Sequence, residues 1–110
     1  HEHIYYYSLT AIQNLVSNAI KYKRDNVASH IEFESAIENK HKVLYVRDNG
    51  MGLNLEKHGE NIFKLYKRFH RNISGKGMGL FLIKSQLEAL NATITIDSKV
   101  GEGTTFKIKF

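Results

Sequence analysis

With 110 residues, 42% of them hydrophobic, the chain holds enough apolar material for one core and is too short for two. It contains no cysteine, which excludes disulfides and thiolate metal sites, and no apolar run approaches the roughly 18 residues of a membrane span. The formal net charge of +5 suits nucleic acid, an acidic membrane or a phosphorylated ligand, and four of those five charges accrue between Leu55 and Lys76.

From about Ser8 to Lys23 the apolar residues Leu9, Ile12, Leu15, Val16, Ala19 and Ile20 recur at helical spacing, with Ser8 as N-cap. At 3.6 residues per turn their centre lies about 170° from Asn14, Asn18 and Lys21, which predicts a core face and an opposite, amide-lined face. Next, Ile31, Phe33, Ser35 and Ile37 alternate with polar residues, "ENKHK" turns, and "VLYVRD" is rich in β-formers, so a hairpin ending at Asp48 is expected. "DNGMGLN" breaks regular structure through its glycines. "ENIFKLYKRF" has the pattern for one or two helical turns before "HRNISGKG" loosens again, and a connection this long is usually functional or disordered. A second amphipathic helix is predicted from about Met78 to Leu90, marked by Leu80, Ile83, Leu87 and Leu90 and ended by Asn91. "ATITIDS" and "TTFKIKF" alternate with period two around "KVGEG" and predict a second hairpin. The order helix, hairpin, loop, helix, hairpin gives an α+β fold: a two-layer α/β sandwich whose mixed, mostly antiparallel sheet is covered on one face by helices.

The stretch "GKGMGLFLIK" sets Gly75, Gly77 and Gly79 directly before the second helix. Each glycine inside a helix costs about 1 kcal/mol relative to alanine. Two readings are open on this stretch alone: a helix N-terminus whose free N–H groups approach an anion closely, or a mobile loop ending in a helix. Further positions carry chemistry. A neutral amide oxygen at Asn18 can complete the shell of a Mg²⁺ whose other ligands are phosphates and water, with Asn14 one turn away in support; a solvated helix face is the alternative. Lys21 can pair with phosphate and the Tyr22 ring can cover a base, or simply edge the core. An ionised Asp48 accepts hydrogen bonds only, which suits the exocyclic amine of adenine and disfavours guanine; an ordinary aspartate turn is the alternative.

The segments "NLVSNAIKY" (14–22), "DNGMG" (48–52), "IFKLYKRFHR" (62–71), "GKGMGL" (75–80) and "GEGTTF" (101–106) occur together in this order. They closely resemble the N, G1, F, G2 and G3 boxes of the ATP-binding catalytic domain of sensor histidine kinases, in the superfamily shared with gyrase, Hsp90 and MutL. The resemblance covers nearly the whole chain and implies a Bergerat-type ATP-binding fold. It implies that Asn18 holds Mg²⁺ with Asn14 beside it, that Lys21 reaches phosphate, that Tyr22 lies against the nucleotide and that Asp48 reads the adenine amine. Gly50 and Gly52 would shape the base pocket. Ile62 to Arg71 would begin a lid, anchored by Phe63 and Phe69, with Arg71 near the γ-phosphate. Gly75, Gly77 and Gly79, followed by Leu80, would hinge the lid and present N–H groups to the phosphates, and Thr104 would line the pocket floor. The implied cofactors are ATP and Mg²⁺.

Relatives that hydrolyse ATP carry a glutamate where this chain has Asn14; an amide cannot take up a proton, so poor hydrolysis and transfer of the γ-phosphoryl group to a histidine are expected. The implied partners are a histidine-bearing dimerisation domain of the same full-length protein and a response regulator receiver domain, with no nucleic acid and no direct membrane contact. Residues 1–110 read as the catalytic domain alone, in the cytoplasm, as a fragment whose phosphoacceptor and sensor domains lie elsewhere. "HEHI" superficially resembles an acceptor box, but no proline follows and Asn18 comes too soon after it. The family usually places a strand and a helix before the N box, so a missing edge strand is expected here. Two rival readings stand beside phosphotransfer: a nucleotide- or partner-binding module that has lost it, and nucleic-acid binding through the basic segment.

Overall fold

A computed structural model of the chain describes residues 2–59, 62–63 and 79–110. Three helices and four strands follow in the order α1 (Glu2–Lys21), β1 (Ile31–Glu38), β2 (His41–Asp48), α2 (Leu55–His58), α3 (Gly79–Glu88), β3 (Thr93–Lys99) and β4 (Gly103–Lys109). The strands form one sheet in the order β1-β2-β4-β3, and every pairing among the described strands is antiparallel. The expected α+β sandwich is present, and among the described residues its sheet holds no parallel pair. β1 and β3 are its outer strands among the described residues.

Local chemistry explains the hairpins and helix ends. Asn39 and Lys40, at φ 51° and 69°, form the two-residue connection between β1 and β2. Positive φ at both centres matches the right-handed twist of the strands, which this tight turn requires. α3 closes with Asn91 at φ 59°: the Ala92 N–H donates to the Leu87 carbonyl at 2.9 Å and the Asn91 N–H to the Glu88 carbonyl at 2.9 Å. This double bond pattern satisfies carbonyls a helix end otherwise leaves orphaned, and it buries Ala92 with Leu87.

Register puts Leu44, Val46, Phe106, Ile108, Ile94 and Ile96 on one face of the sheet. Val46, Phe106, Ile108 and Ile94 join Ala11 and Leu15 of α1, Ile83 and Leu87 of α3, and Ala92 in a single core. α1 packs on α3, and α3 on β3, so both helices lie over that face. The opposite face carries a polar ladder in which Arg47 pairs with Glu32 and Glu34, and Glu38 accepts from both Tyr45 and Lys107. Exposed pairs of this kind contribute little each, so the core dominates stability.

The helices depart from the sequence reading in three ways. α1 begins at Glu2, well before the expected cap at Ser8. Its buried stripe is Ala11, Leu15 and Ala19, while Leu9 and Ile20 remain 59% and 55% exposed. Asn18 and Asn14 therefore lie about 60° and 100° from the centre of the buried stripe instead of opposite it. Both are half-buried. The buried stripe of Ala11, Leu15 and Ala19 is the side of α1 that turns inward, and α1 packs on α3. Finally, α2 appears within the glycine-interrupted loop: the Asn54 side chain accepts from the Lys57 N–H at 3.1 Å and caps it. Of the anticipated turns in "ENIFKLYKRF", Ile62 and Phe63 form a turn packed on the domain, Ile62 buried and Phe63 against the core; the rest lies outside the described residues.

Truncating Leu87 to alanine is expected to lower unfolding free energy by about 3 kcal/mol, because the site is fully enclosed. Ile37→Ala should change it by less than about 0.5 kcal/mol, since Ile37 is 77% exposed. Urea denaturation of the two variants checks both.

Candidate functional site

Asp48 is the last residue of β2 and lies opposite Thr104 of β4, which in turn lies opposite Ser98 of β3. The strand ends therefore place a carboxyl and two hydroxyls in one row across the sheet. Asp48 Oδ1 accepts the Gly50 N–H at 2.8 Å. Burial holds the Asp48 carboxyl above the ordinary aspartate range, an effect partly offset by hydrogen bonds from the Gly50 and Thr104 backbones. A half-buried carboxyl in this condition gains by meeting a further donor. Thr104 is itself buried, with its Oγ1 2.7 Å from Ser98 Oγ. Ser98 Oγ also accepts the Leu53 N–H at 2.8 Å and donates to the Gly103 carbonyl at 3.0 Å. That hydroxyl pair ties the loop after Asp48 to both strands of the second hairpin.

Gly50 and Gly52 have a physical reason different from leaving open space. A Cβ at position 50 would stand 2.7 Å from the Tyr22 carbonyl oxygen and 2.9 Å from Asp48 Oδ1. Gly52 has φ +71°, and a Cβ there would stand 2.1 Å from the Lys99 carbonyl oxygen. The glycines let the loop press against two backbones at once, the end of α1 and the β3–β4 turn. Backbone hydrogen bonds complete the junction: Met51 N–H donates to the Tyr22 carbonyl at 2.8 Å, and Gly101 N–H to the Met51 carbonyl at 2.8 Å.

On α1, Tyr22 is half-buried where the helix ends, and Lys21 is exposed with its Nζ 5.4 Å from the centre of the Tyr22 ring. Asn18 precedes Tyr22 by one turn; its carbonyl accepts the Tyr22 N–H at 3.1 Å. Asn14 faces α3, donating from Nδ2 to Gln86 Oε1 at 3.2 Å. Gly79 begins α3 and Leu80 packs at the core margin, as does Phe63, whose ring has Lys84 Nζ 5.7 Å from its centre. Tyr22, Asp48, Gly50, Gly52 and Thr104 are thus brought together, while Asn14 and Asn18 lie along the helix that leads to them. Arg71, Gly75 and Gly77, with Phe69, lie outside the described residues.

Four residues escaped the sequence reading. Ser98 was legible in principle, as the strand residue aligned with Thr104 once the second hairpin is paired. Gln86 had no signal beyond its place on a helix. Asn49 holds the segment after α1: its Oδ1 accepts the His30 N–H at 2.7 Å and its Nδ2 donates to the Ala28 carbonyl at 2.8 Å. Arg24 donates to the Asn49 carbonyl at 2.9 Å and to the Gly101 carbonyl at 2.8 Å, contacts spanning 25 and 77 positions of sequence.

Comparison with known proteins adds three findings. Residues 9–110 match the family model described as histidine kinase-, DNA gyrase B-, and HSP90-like ATPase. The chain is 41% identical over 98 residues to cyanobacterial phytochrome B of Nostoc sp., covering 84% of this chain and 13% of that protein. It is 33% identical over 98 residues to the signal transduction histidine-protein kinase ArlS of Staphylococcus haemolyticus, covering 86% of this chain and 21% of that one. The chain therefore spans under a quarter of the length of these relatives. Among solved structures, the mycobacterial sensor histidine kinase MprB superposes with a TM-score of 0.76 at 20% identity, over 91% of this chain and 68% of the other, a likeness of fold.

The raised Asp48 carboxyl has a defined consequence for stability. The folded chain holds that proton more tightly than the unfolded one, so folding stability falls as pH rises from the ordinary aspartate range through the raised value. Asp48→Asn should remove this decline. Urea denaturation at a series of pH values is expected to show wild type losing stability relative to the variant across that window, and parallel curves would assign the slope to other groups.

Proposed function

The chain belongs to the family of histidine kinase-, DNA gyrase B-, and HSP90-like ATPases, and on that premise we propose that it binds Mg-ATP and donates the γ-phosphoryl group to a histidine on a separate dimerisation domain. In this reading residues 1–110 are the catalytic domain of a two-component sensor kinase, and a response regulator receiver domain takes the phosphoryl group onward. The observation that carries it is the Asp48 carboxyl, half-buried at the end of β2 in a row with Ser98 and Thr104 and raised by burial. An ionised carboxylate only accepts, so Asp48 pairs with the exocyclic amine of adenine and disfavours the oxygen that guanine places there. Loss of its hydration then favours the donor-bearing base over the alternative.

Tyr22 lines the base, Gly50 and Gly52 set the shape of its pocket, and Thr104 forms the floor. Lys21 reaches toward phosphate from its exposed position. The cation of this reading is held through phosphates, water and a neutral amide. Asn18 supplies that amide. Bound Mg²⁺ neutralises phosphate charge during transfer. Ile62 and Phe63 root the proposed lid on the domain; Gly79 and Leu80 are assigned to its phosphate side, as are Arg71, Gly75 and Gly77, which lie outside the described residues.

Asn14, which bonds to Gln86, is a neutral amide at the position where hydrolysing relatives carry a glutamate. Water is not activated there, and an external histidine receives the phosphoryl group instead. Among the described residues no helix is long and apolar enough to cross a membrane. The proposed location is the cytoplasm, where ATP and receiver domains are both available.

Calorimetric titration with a non-hydrolysable ATP analogue, with and without Mg²⁺, tests the reading against the matching GTP analogue. Adenine-selective, Mg²⁺-enhanced binding is expected. Asp48→Ala should weaken binding more than about tenfold while leaving the circular dichroism spectrum unchanged, and unchanged affinity would refute its role. Asn18→Ala should abolish the Mg²⁺ enhancement; an enhancement that persists would move the metal to other residues.

A further inference from the structure

We infer that Arg24 is a positioning residue for nucleotide binding, acting through the Asn49–Gly52 loop without touching the nucleotide itself; this rests on the adenine site proposed above. Its guanidinium joins two separate backbones. Nε donates to the Asn49 carbonyl at 2.9 Å and Nη1 to the Gly101 carbonyl at 2.8 Å. The same two segments are linked by the Gly101 N–H on the Met51 carbonyl, so Gly101 is held through both its N–H and its carbonyl. The loop's other flank rests on α1 through Met51 N–H and the Tyr22 carbonyl, two residues before Arg24.

The geometry bears directly on Asp48. Its side chain accepts the Gly50 N–H, and the Asn49 carbonyl belongs to the peptide that carries that N–H. A guanidinium fixed on this carbonyl therefore fixes the direction of the N–H that orients the carboxyl. Arginine suits the task because a planar fork presents several donors at set angles; an ammonium is a single point of charge and does not reproduce the fork.

The test uses the 110-residue chain, titrated calorimetrically with adenosine and with a non-hydrolysable ATP analogue. Arg24→Ala should weaken both by the same factor, about tenfold, because the damage lies on the base side. The ratio of the two affinities should stay at the wild-type value, and amide exchange at Met51 and Gly101 should accelerate. Arg24→Lys should resemble Arg24→Ala, which keeps the question answerable should the alanine variant fail to fold. Adenosine affinity unchanged in a folded variant, or wild-type binding restored by lysine, would overturn the inference; the second result would identify Arg24 as a general positive charge. A role in fold stability alone would lower the melting temperature without changing either affinity, and would also overturn it. Absence of adenosine binding by the wild-type chain would instead overturn the adenine site itself, so the two failures are distinguishable.

Discussion

The site is built on close contact between main chains: the Asn49–Gly52 loop is pressed between the Tyr22 carbonyl and the Lys99 carbonyl, with no room for a Cβ at position 50 or 52. The rest of the site follows from that contact. Met51 can bond to the end of α1 and to Gly101 only because its neighbours have no side chains. Asp48 can accept the Gly50 N–H only because the chain doubles back at once. A loop held this way is rigid without being apolar, and burial around it raises the carboxyl instead of stabilising its charge.

The sheet contributes alignment. Antiparallel register sets Asp48, Thr104 and Ser98 in one row, at the end of the same strands whose inward residues Val46, Phe106 and Ile96 pack on or into the core. The site's polar row continues the apolar rows directly, so the packing that stabilises the domain also sets the spacing of its functional groups. α1 is used in the same double way. Its buried stripe of Ala11, Leu15 and Ala19 seats it on the core while the flanking amides lead toward the loop, and the Asn14–Gln86 bond ties it to α3.

The strands and their hairpins were legible because alternation and turn residues are local signals: Asn39 and Asn91 take positive φ where the sequence places a turn and a helix end. The family was legible through five short motifs in order. The burial of α1 was not, because the apolar set counted in Leu9 and Ile20, which stay exposed, and left out Ala11, which is buried. The short helix α2 was hidden by the surrounding glycines, although Asn54 has the chemistry of a cap. Arg24 was hidden for a more general reason. Its partners lie far away in sequence, and nothing local to an arginine after a helix says which carbonyls it will meet.

The bond from Gly101 to Met51 also bears on how the protein is made. A ribosome releases α1, the first hairpin and the glycine loop well before it releases the β3–β4 turn. Until that turn emerges, the loop lacks its partners on Lys99, Gly101 and Ser98, and β2 lacks β4 as a neighbour. The nascent domain therefore exposes strand edges and an unformed pocket together, and both close in the same late step. Nucleotide has no completed pocket to enter before then, so it can reward the finished fold but cannot template the early one.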